Sequence, residues 1–197
     1  MTVSRLNLRL GDSRSVRMQS YDYRQTGAYF VTVCAGERRC VFGSVRDGSV
    51  SLSRYGEIVV EEWLAVPEHR PGVELDVFVV MPNHFHGLLV VDDGSCRGTA
   101  CRAQGGEGDD AQRSFGGLAA GSLGAVVGGF KSAVARRINR ERGTPGDVVW
   151  QRNFHERVVR NERMLDALRI YIESNRANWE KDEDFVPGPD SIRHRVP

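Results

Sequence analysis

The sequence has almost no lysine, little net charge and few cysteines. Only Lys131 and Lys181 are lysines among the 27 basic residues, and 26 acidic residues leave a net charge of +1. Without a general positive field, contacts to a nucleic acid have to come from local clusters of arginine. The four cysteines show no Cys-x-x-Cys spacing, so a zinc site or a disulfide framework is not indicated. They are Cys34, Cys40, Cys96 and Cys101.

Long apolar runs are also missing. No N-terminal segment has the apolar core of a signal peptide, and no run reaches transmembrane length. We therefore expect a cytoplasmic protein with reduced thiols and no membrane partner. The 197 residues, 40% of them hydrophobic, suffice for one domain with a sizeable core.

The composition predicts where this domain begins and ends. A polar, arginine-rich stretch over residues 1–20 is expected to form a flexible arm, and residues 183–197 a loose tail. The domain then spans 21–182, with a Gly-rich insertion at 92–121 that has no apolar periodicity.

The most informative segment is His84-Phe85-His86. Apolar, largely β-branched runs flank it on both sides, which favours a strand over a helix. Alternate residues of a strand share a face, so both imidazoles should lie side by side while Phe85 points into apolar packing. Two neutral imidazoles on one face form a natural ligand pair for a divalent metal. A pair of half-buried structural histidines is the alternative.

Periodicity predicts the remaining elements. Strands are expected over 28–35, 50–53, 74–81, 84–91, 148–150 and 158–159, and helices over 55–66, 123–141 and 162–174. Ser122 and Asn161 are the expected N-caps of the last two helices. Strands joined by a tight turn, alternating irregularly with helices, indicate an α+β sandwich with a mostly antiparallel sheet.

Tyr171 and Asn175 lie four residues apart in the last predicted helix and should share a face. A phenol, with a pKa of about 10, is a poor nucleophile near neutral pH. It becomes useful in transesterification at phosphorus, where a metal polarises the phosphate. Asn175 could bring a neutral oxygen to that metal. The alternative is a boundary tyrosine with its hydroxyl in water.

Four ordered segments resemble one protein family. Met81-Pro82-Asn83-His84-Phe85-His86-Gly87 is similar to the His-hydrophobic-His strand of single-tyrosine transposases, and more narrowly of REP-associated tyrosine transposases. The other three resemble the family's opening strand, middle helix and nucleophile region. They are Tyr21-Asp22-Tyr23 with Gly27–Thr32, Ser122–Ser132, and Trp150–Arg157 with Tyr171–Asn175.

This resemblance implies a ferredoxin-like fold and cleavage of single-stranded DNA through a 5′-phosphotyrosine intermediate. It also implies recognition of DNA hairpins or imperfect palindromes. Tyr171 would be the nucleophile, and His84, His86 and Asn175 would bind a divalent ion, Mg²⁺ or Mn²⁺. The chain departs from the family pattern in having Arg176 after Asn175 and Arg157 in place of a histidine.

A group of basic residues provides candidate DNA contacts. Lys131, Arg136, Arg137 and Arg140 lie on the middle helix, and His155 lies near a strand edge. We interpret them as phosphate or DNA contacts, although a solvated helix face is the ordinary explanation for any one arginine.

Two other functions stay open at this point, as does the assembly. One is a domesticated hairpin-DNA-binding protein without turnover. The other is a His-x-His hydrolase of small molecules, which usually needs more His and Asp ligands than five histidines supply. The sequence does not choose between a monomer and a homodimer with shared sites.

Overall fold

The computed structural model describes residues 27–46, 48–92, 122–182 and 185. The expected arm, the Tyr21-Asp22-Tyr23 segment, residues 93–121 of the insertion and most of the tail lie outside the described residues. Within these residues, six strands and four α-helices follow one another in the order β1, β2, β3, α1, α2, β4, β5, α3, β6 and α4. The strands are Gly27–Cys34, Gly43–Arg46, Ser49–Leu52, Val73–Val80, His84–Val91 and His155–Val159. The helices are Arg54–Leu64, Val66–His69, Leu123–Arg142 and Glu162–Ser174, with 3-10 helices at Gly36–Arg38 and Arg176–Lys181.

Four of the strands form one antiparallel sheet in the order β4-β5-β1-β6. Along the chain they alternate with α1 and α3 as β-α-β-β-α-β, which is the ferredoxin-like arrangement. The α+β fold with an antiparallel sheet is therefore confirmed. Strands β2 and β3 pair separately as a hairpin.

Helices cover both faces of the sheet. On one face, α1 and α3 bury Trp63 and Phe130 against Phe85 of β5. On the other face, Leu168 and Ile172 of α4 pack on Phe30 of β1. We call the second side the α4 face. No described helix is both long and apolar enough to cross a membrane.

Capping side chains set the starts of the long helices. The hydroxyl of Ser122 accepts a hydrogen bond from the amide of Ala125 at 3.3 Å. The side chain of Asn161 accepts one from Met164 at 2.9 Å. Both N-caps were predicted, because a short polar acceptor before an apolar helical period satisfies otherwise unpaired amides.

Two predicted elements differ from the structure, and one observed strand was not predicted. Residues 148–150 form no strand: an isolated bridge joins Trp150 to Ala35, Val149 and Trp150 are buried in the core, and Val148 is exposed. The first helix ends at Leu64, and Pro67 lies in the first turn of the short α2 rather than stopping α1. Strand β2 at Gly43–Arg46 was not predicted.

Candidate active site on the α4 face

His84 and His86 point from β5 to the α4 face. Their ring centroids are 4.5 Å apart, and both side chains are buried. Phe85 between them points to the opposite face, where it contacts Trp63. The two imidazoles therefore lie side by side on one face of β5, as the strand repeat predicts.

A hydrogen bond to Nδ1 orients each imidazole. Asn83 Nδ2 donates to the carbonyl of Arg38 at 3.3 Å, so Asn83 Oδ1 faces His84 and accepts from its Nδ1 at 2.9 Å. Nδ1 of His86 lies 2.8 Å from Oγ1 of Thr32, its partner on β1. With both Nδ1 atoms engaged, the Nε2 atoms are the ones left to face a ligand.

Burial keeps His86 neutral. Desolvation, and then the neighbouring His84, lower the pKa of His86 well below its ordinary value. A neutral imidazole has the lone pair that a metal ion requires. His86 can therefore act as a ligand near neutral pH without first losing a proton.

Tyr171 reaches the same place from α4. Its phenol oxygen lies 3.4 Å from Nε2 of His86, and its ring meets that of Phe30 edge-on at 6.0 Å. Phe30 also stacks on His86, with ring centroids 5.3 Å apart. The phenol is thus held beside the imidazole pair by an aromatic neighbour of both.

Asn175 lies one turn further along and is also buried. Its Nδ2 donates to Oδ2 of Asp182 at 3.0 Å. Its Oδ1 is buried and makes no hydrogen bond to any residue that the structure describes. A buried acceptor without a donor is costly, which fits an oxygen that awaits a cation.

Asp182 is a site residue that the sequence analysis missed. Its Oδ2 lies 4.0 Å from Nε2 of His84. The 3-10 helix Arg176–Lys181 brings it there, and Trp179 anchors that helix by packing near His84 at 5.9 Å between ring centroids. In the sequence, Asp182 stands in a charged run after the last helix, where no local pattern distinguishes it.

Three of these side chains suit a divalent metal ion. One ligand atom from each of His84, His86 and Asp182 lies within 4.8 Å of the other two. Two imidazoles, a carboxylate and a neighbouring amide oxygen make a mixed nitrogen and oxygen set, which accommodates Mn²⁺ and, with waters, Mg²⁺. The donors present fit the expected metal.

Two of the predicted DNA contacts are engaged within the protein. Nζ of Lys131 donates to the carbonyls of Gln151, Arg152 and Asn153 at 2.7, 3.3 and 3.0 Å. Burial lowers the pKa of Lys131 to about 8, although the nearby Cys34 thiol acts in the opposite direction. Its three donors hold the loop before β6, which leaves none for a phosphate.

Arg137 is engaged in the same way, because it forms ion pairs with Glu61 and Glu62 of α1. Arg136 and Arg140 are exposed, but α3 packs on the face of the sheet opposite to Tyr171. His155 begins β6, an edge strand. Of the five predicted contacts, only His155 lies on a strand whose side chains reach the α4 face.

Comparison with known proteins gives one curated relative. No family model matches the chain. A Haemophilus influenzae protein of uncharacterised function is 30% identical over 192 residues, covering 93% of this chain and 98% of its own. That identity across nearly both full lengths places the two chains in one family.

Solved structures identify the fold. A REP-associated tyrosine transposase bound to a REP hairpin superposes with a TM-score of 0.51 at 18% identity, covering 80% of this chain and 71% of that one. A candidate transposase of Deinococcus radiodurans gives 0.43 at 18% identity, covering 79% and 93%. The chain therefore belongs to one family with the Haemophilus influenzae protein, and it has the fold of a REP-associated tyrosine transposase.

Proposed function

We propose that this protein cleaves and rejoins single-stranded DNA at hairpin or palindromic sequences, with Tyr171 as the nucleophile. The observation that carries the proposal is the phenol oxygen of Tyr171, 3.4 Å from Nε2 of His86 within a cluster of metal-ligating side chains. The fold supports it, because a transposase of this fold was solved bound to a DNA hairpin.

His84, His86 and Asp182 would hold a divalent ion, Mg²⁺ or Mn²⁺, with the side-chain oxygen of Asn175 beside them. When bound, such an ion polarises a phosphate and offsets the charge that develops on its oxygens. Thr32 and Asn83 would keep the two imidazoles turned toward it.

Tyr171 would exchange one ester bond of the DNA for another. Its phenol loses a proton as Oη bonds to phosphorus, and the bond from phosphorus to the 3′ oxygen breaks. That 3′ oxygen takes up a proton and leaves as the hydroxyl of the upstream fragment, while the downstream fragment stays joined to Tyr171 through its 5′ phosphate as a phosphodiester. Because the ester is conserved, attack by a 3′ hydroxyl can rejoin the strand without a nucleotide cofactor.

The adduct itself provides the test. The protein is incubated with Mn²⁺ and a pool of oligonucleotides labelled at the 3′ end, each carrying a hairpin with random flanks. We expect a labelled band that survives denaturing electrophoresis, absent with EDTA, and mass spectrometry that maps the nucleotide to Tyr171. Hairpin binding without any adduct would instead identify a DNA-binding protein without turnover.

Adduct formation also tests whether the active site is built within one chain or shared between two copies. If sites are shared between two copies, mixing a His84→Ala chain with a Tyr171→Phe chain should restore adduct formation, because each supplies what the other lacks. If each chain has a complete site, the mixture should stay inactive. Arg136 and Arg140 remain proposed contacts for DNA that extends beyond the site.

A further inference from the structure

We propose that Arg157 and His155 of β6 form a phosphate-binding subsite that holds the scissile DNA strand beside Tyr171. This inference rests on the proposed function and adds the protein groups that would grip the backbone of the substrate. It concerns neither the helix arginines considered above nor the metal-ligating cluster.

Strand register places both side chains on the α4 face. In the β1–β6 pairing, Arg157 lies opposite Phe30 and His155 lies opposite Thr32. Directly paired residues of an antiparallel sheet point to the same side. Phe30 contacts both His86 and Tyr171 through its ring, so Arg157 is one strand away from a residue that touches both.

Packing within β6 agrees with that register. Val159 packs against the cluster that contains Leu168 and Ile172 of α4, whereas Val158 packs against the opposite cluster under α1 and α3. Since side chains alternate along a strand, Arg157 and His155 project to the same side as Val159.

The side of α4 that carries the nucleophile turns toward this strand. Arg169 of α4, two residues before Tyr171, forms an ion pair with Asp76 on β4 at one edge of the sheet. Residues two apart in a helix point to nearly opposite sides, and the ring of Tyr171 meets Phe30 on β1, which lies next to β6 at the other edge. A DNA strand that approaches Tyr171 from the β6 edge would pass over Arg157.

Arg157 is half-buried, and its guanidinium makes no hydrogen bond or ion pair with any described residue. Partly removing a guanidinium from water without an anion to compensate it is unfavourable. Its planar fork fits two oxygens of one phosphate, which makes arginine the side chain suited to this ligand. His155, two residues before, can donate a ring N–H to a neighbouring phosphate.

Binding measurements isolate this contact from catalysis. In a Tyr171→Phe background, Arg157→Gln keeps most of the side-chain length and removes the charge. Arg70→Gln is the matched control, because Arg70 is exposed and lies near Gly129 of α3 on the opposite side of the sheet. Fluorescence anisotropy with a labelled oligothymidylate then gives affinity as a function of salt.

We expect the slope of log K against log salt to become shallower by about 0.7 for Arg157→Gln, the value for one lost phosphate contact on a single strand. His155→Gln should change the slope less, and Arg70→Gln should leave it unchanged. With Tyr171 present, Arg157→Gln should slow adduct formation about 100-fold, as the loss of one donor to a reacting oxyanion does.

The outcomes separate the two proposals. If the wild type forms the adduct and a folded Arg157→Gln matches it in rate and salt slope, the subsite is refuted and the nucleophile stands. If the wild type neither binds the oligonucleotide nor forms an adduct, the proposed function fails, and the subsite with it. Thermal unfolding checks that each variant is folded. If Arg157→Gln does not fold, Arg157→Thr takes its place, because threonine suits an edge strand.

Discussion

The phenol oxygen of Tyr171 lies 3.4 Å from Nε2 of His86, although 85 positions separate the two residues in sequence. One residue is on the last long helix and the other on a central strand, and Phe30 contacts both rings. A phosphate bound to a metal ion at the imidazole pair would therefore be within reach of the phenol without a large movement of α4.

Replacing Tyr171 by phenylalanine removes one oxygen and should abolish the protein–DNA adduct while leaving the midpoint of thermal unfolding and hairpin affinity unchanged. The ring contacts with Phe30 and His86 need no hydroxyl. Tyr55→Phe is the matched control, since Tyr55 lies on α1 under Arg142, on the other side of the sheet. An adduct of undiminished yield in Tyr171→Phe would show that another tyrosine is the nucleophile.

Removal of the Asp182 charge should weaken metal binding. We expect Asp182→Asn to lower the affinity for Mn²⁺ by about tenfold or more, measured by isothermal titration calorimetry without DNA. Glu180→Gln is the control, because it removes one negative charge from an exposed position on the 3-10 helix Arg176–Lys181 that precedes Asp182. It should leave the Mn²⁺ affinity unchanged. Equal affinities for the two variants would exclude Asp182 as a ligand.

Thr32 is expected to act through His86 rather than on the substrate. Thr32→Val keeps the branched shape but loses the oxygen that contacts Nδ1 at 2.8 Å, so Mn²⁺ affinity should fall by about 10- to 100-fold. Thr32→Ser restores the hydroxyl and should recover most of that loss. Nitrogen chemical shifts of the imidazole would report whether the ring changes tautomer, which a purely structural role would leave unaltered.

Lys131→Met should destabilise the fold without reducing the salt dependence of DNA binding. The three carbonyls that accept hydrogen bonds from Nζ would lose their charged donor, which should lower the free energy of unfolding by about 1.5–3 kcal/mol. Urea unfolding measures that cost, and anisotropy measures the salt slope. If the slope of log K against log salt is shallower for Lys131→Met than for the wild type, Lys131 contacts a phosphate of the DNA after all.

Gly87 should not tolerate a side chain, even though it follows the histidines directly. A Cβ at this position would lie 2.7 Å from Cζ2 of Trp63 and 2.8 Å from the ring of Phe85. We expect Gly87→Ala to lower the free energy of unfolding by about 1–3 kcal/mol. Gly128→Ala is the control, because nothing lies within 4 Å of a Cβ built there.

Much of this architecture could be predicted from sequence because local chemistry determines it. Ser122 and Asn161 mark helix starts through acceptors that reach amides three residues away. The same-face placement of His84 and His86 follows from the strand repeat alone. Periodicity also located α4, and with it the turn that carries Tyr171.

The remaining features depend on contacts between distant segments. Nothing near Asp182 in sequence shows that Trp179 folds its segment back over His84. Lys131 and Arg137 matched a phosphate-binding helix face equally well, until the 151–153 carbonyls and the α1 glutamates proved to be their partners. Residues 148–150 have strand-like composition, yet Val148 is exposed, and Trp150 pairs with Ala35 only through an isolated bridge.

The assembly of the site from β1, β5 and α4 has a consequence for how the protein folds. Contacts between segments so far apart in sequence form only after the intervening loops have closed, which makes them slow and strongly cooperative. A nascent or partly unfolded chain would have the phenol and the imidazoles but not their proximity. Reactivity toward DNA should consequently appear together with the completed sheet, with no partly active folding intermediate before it.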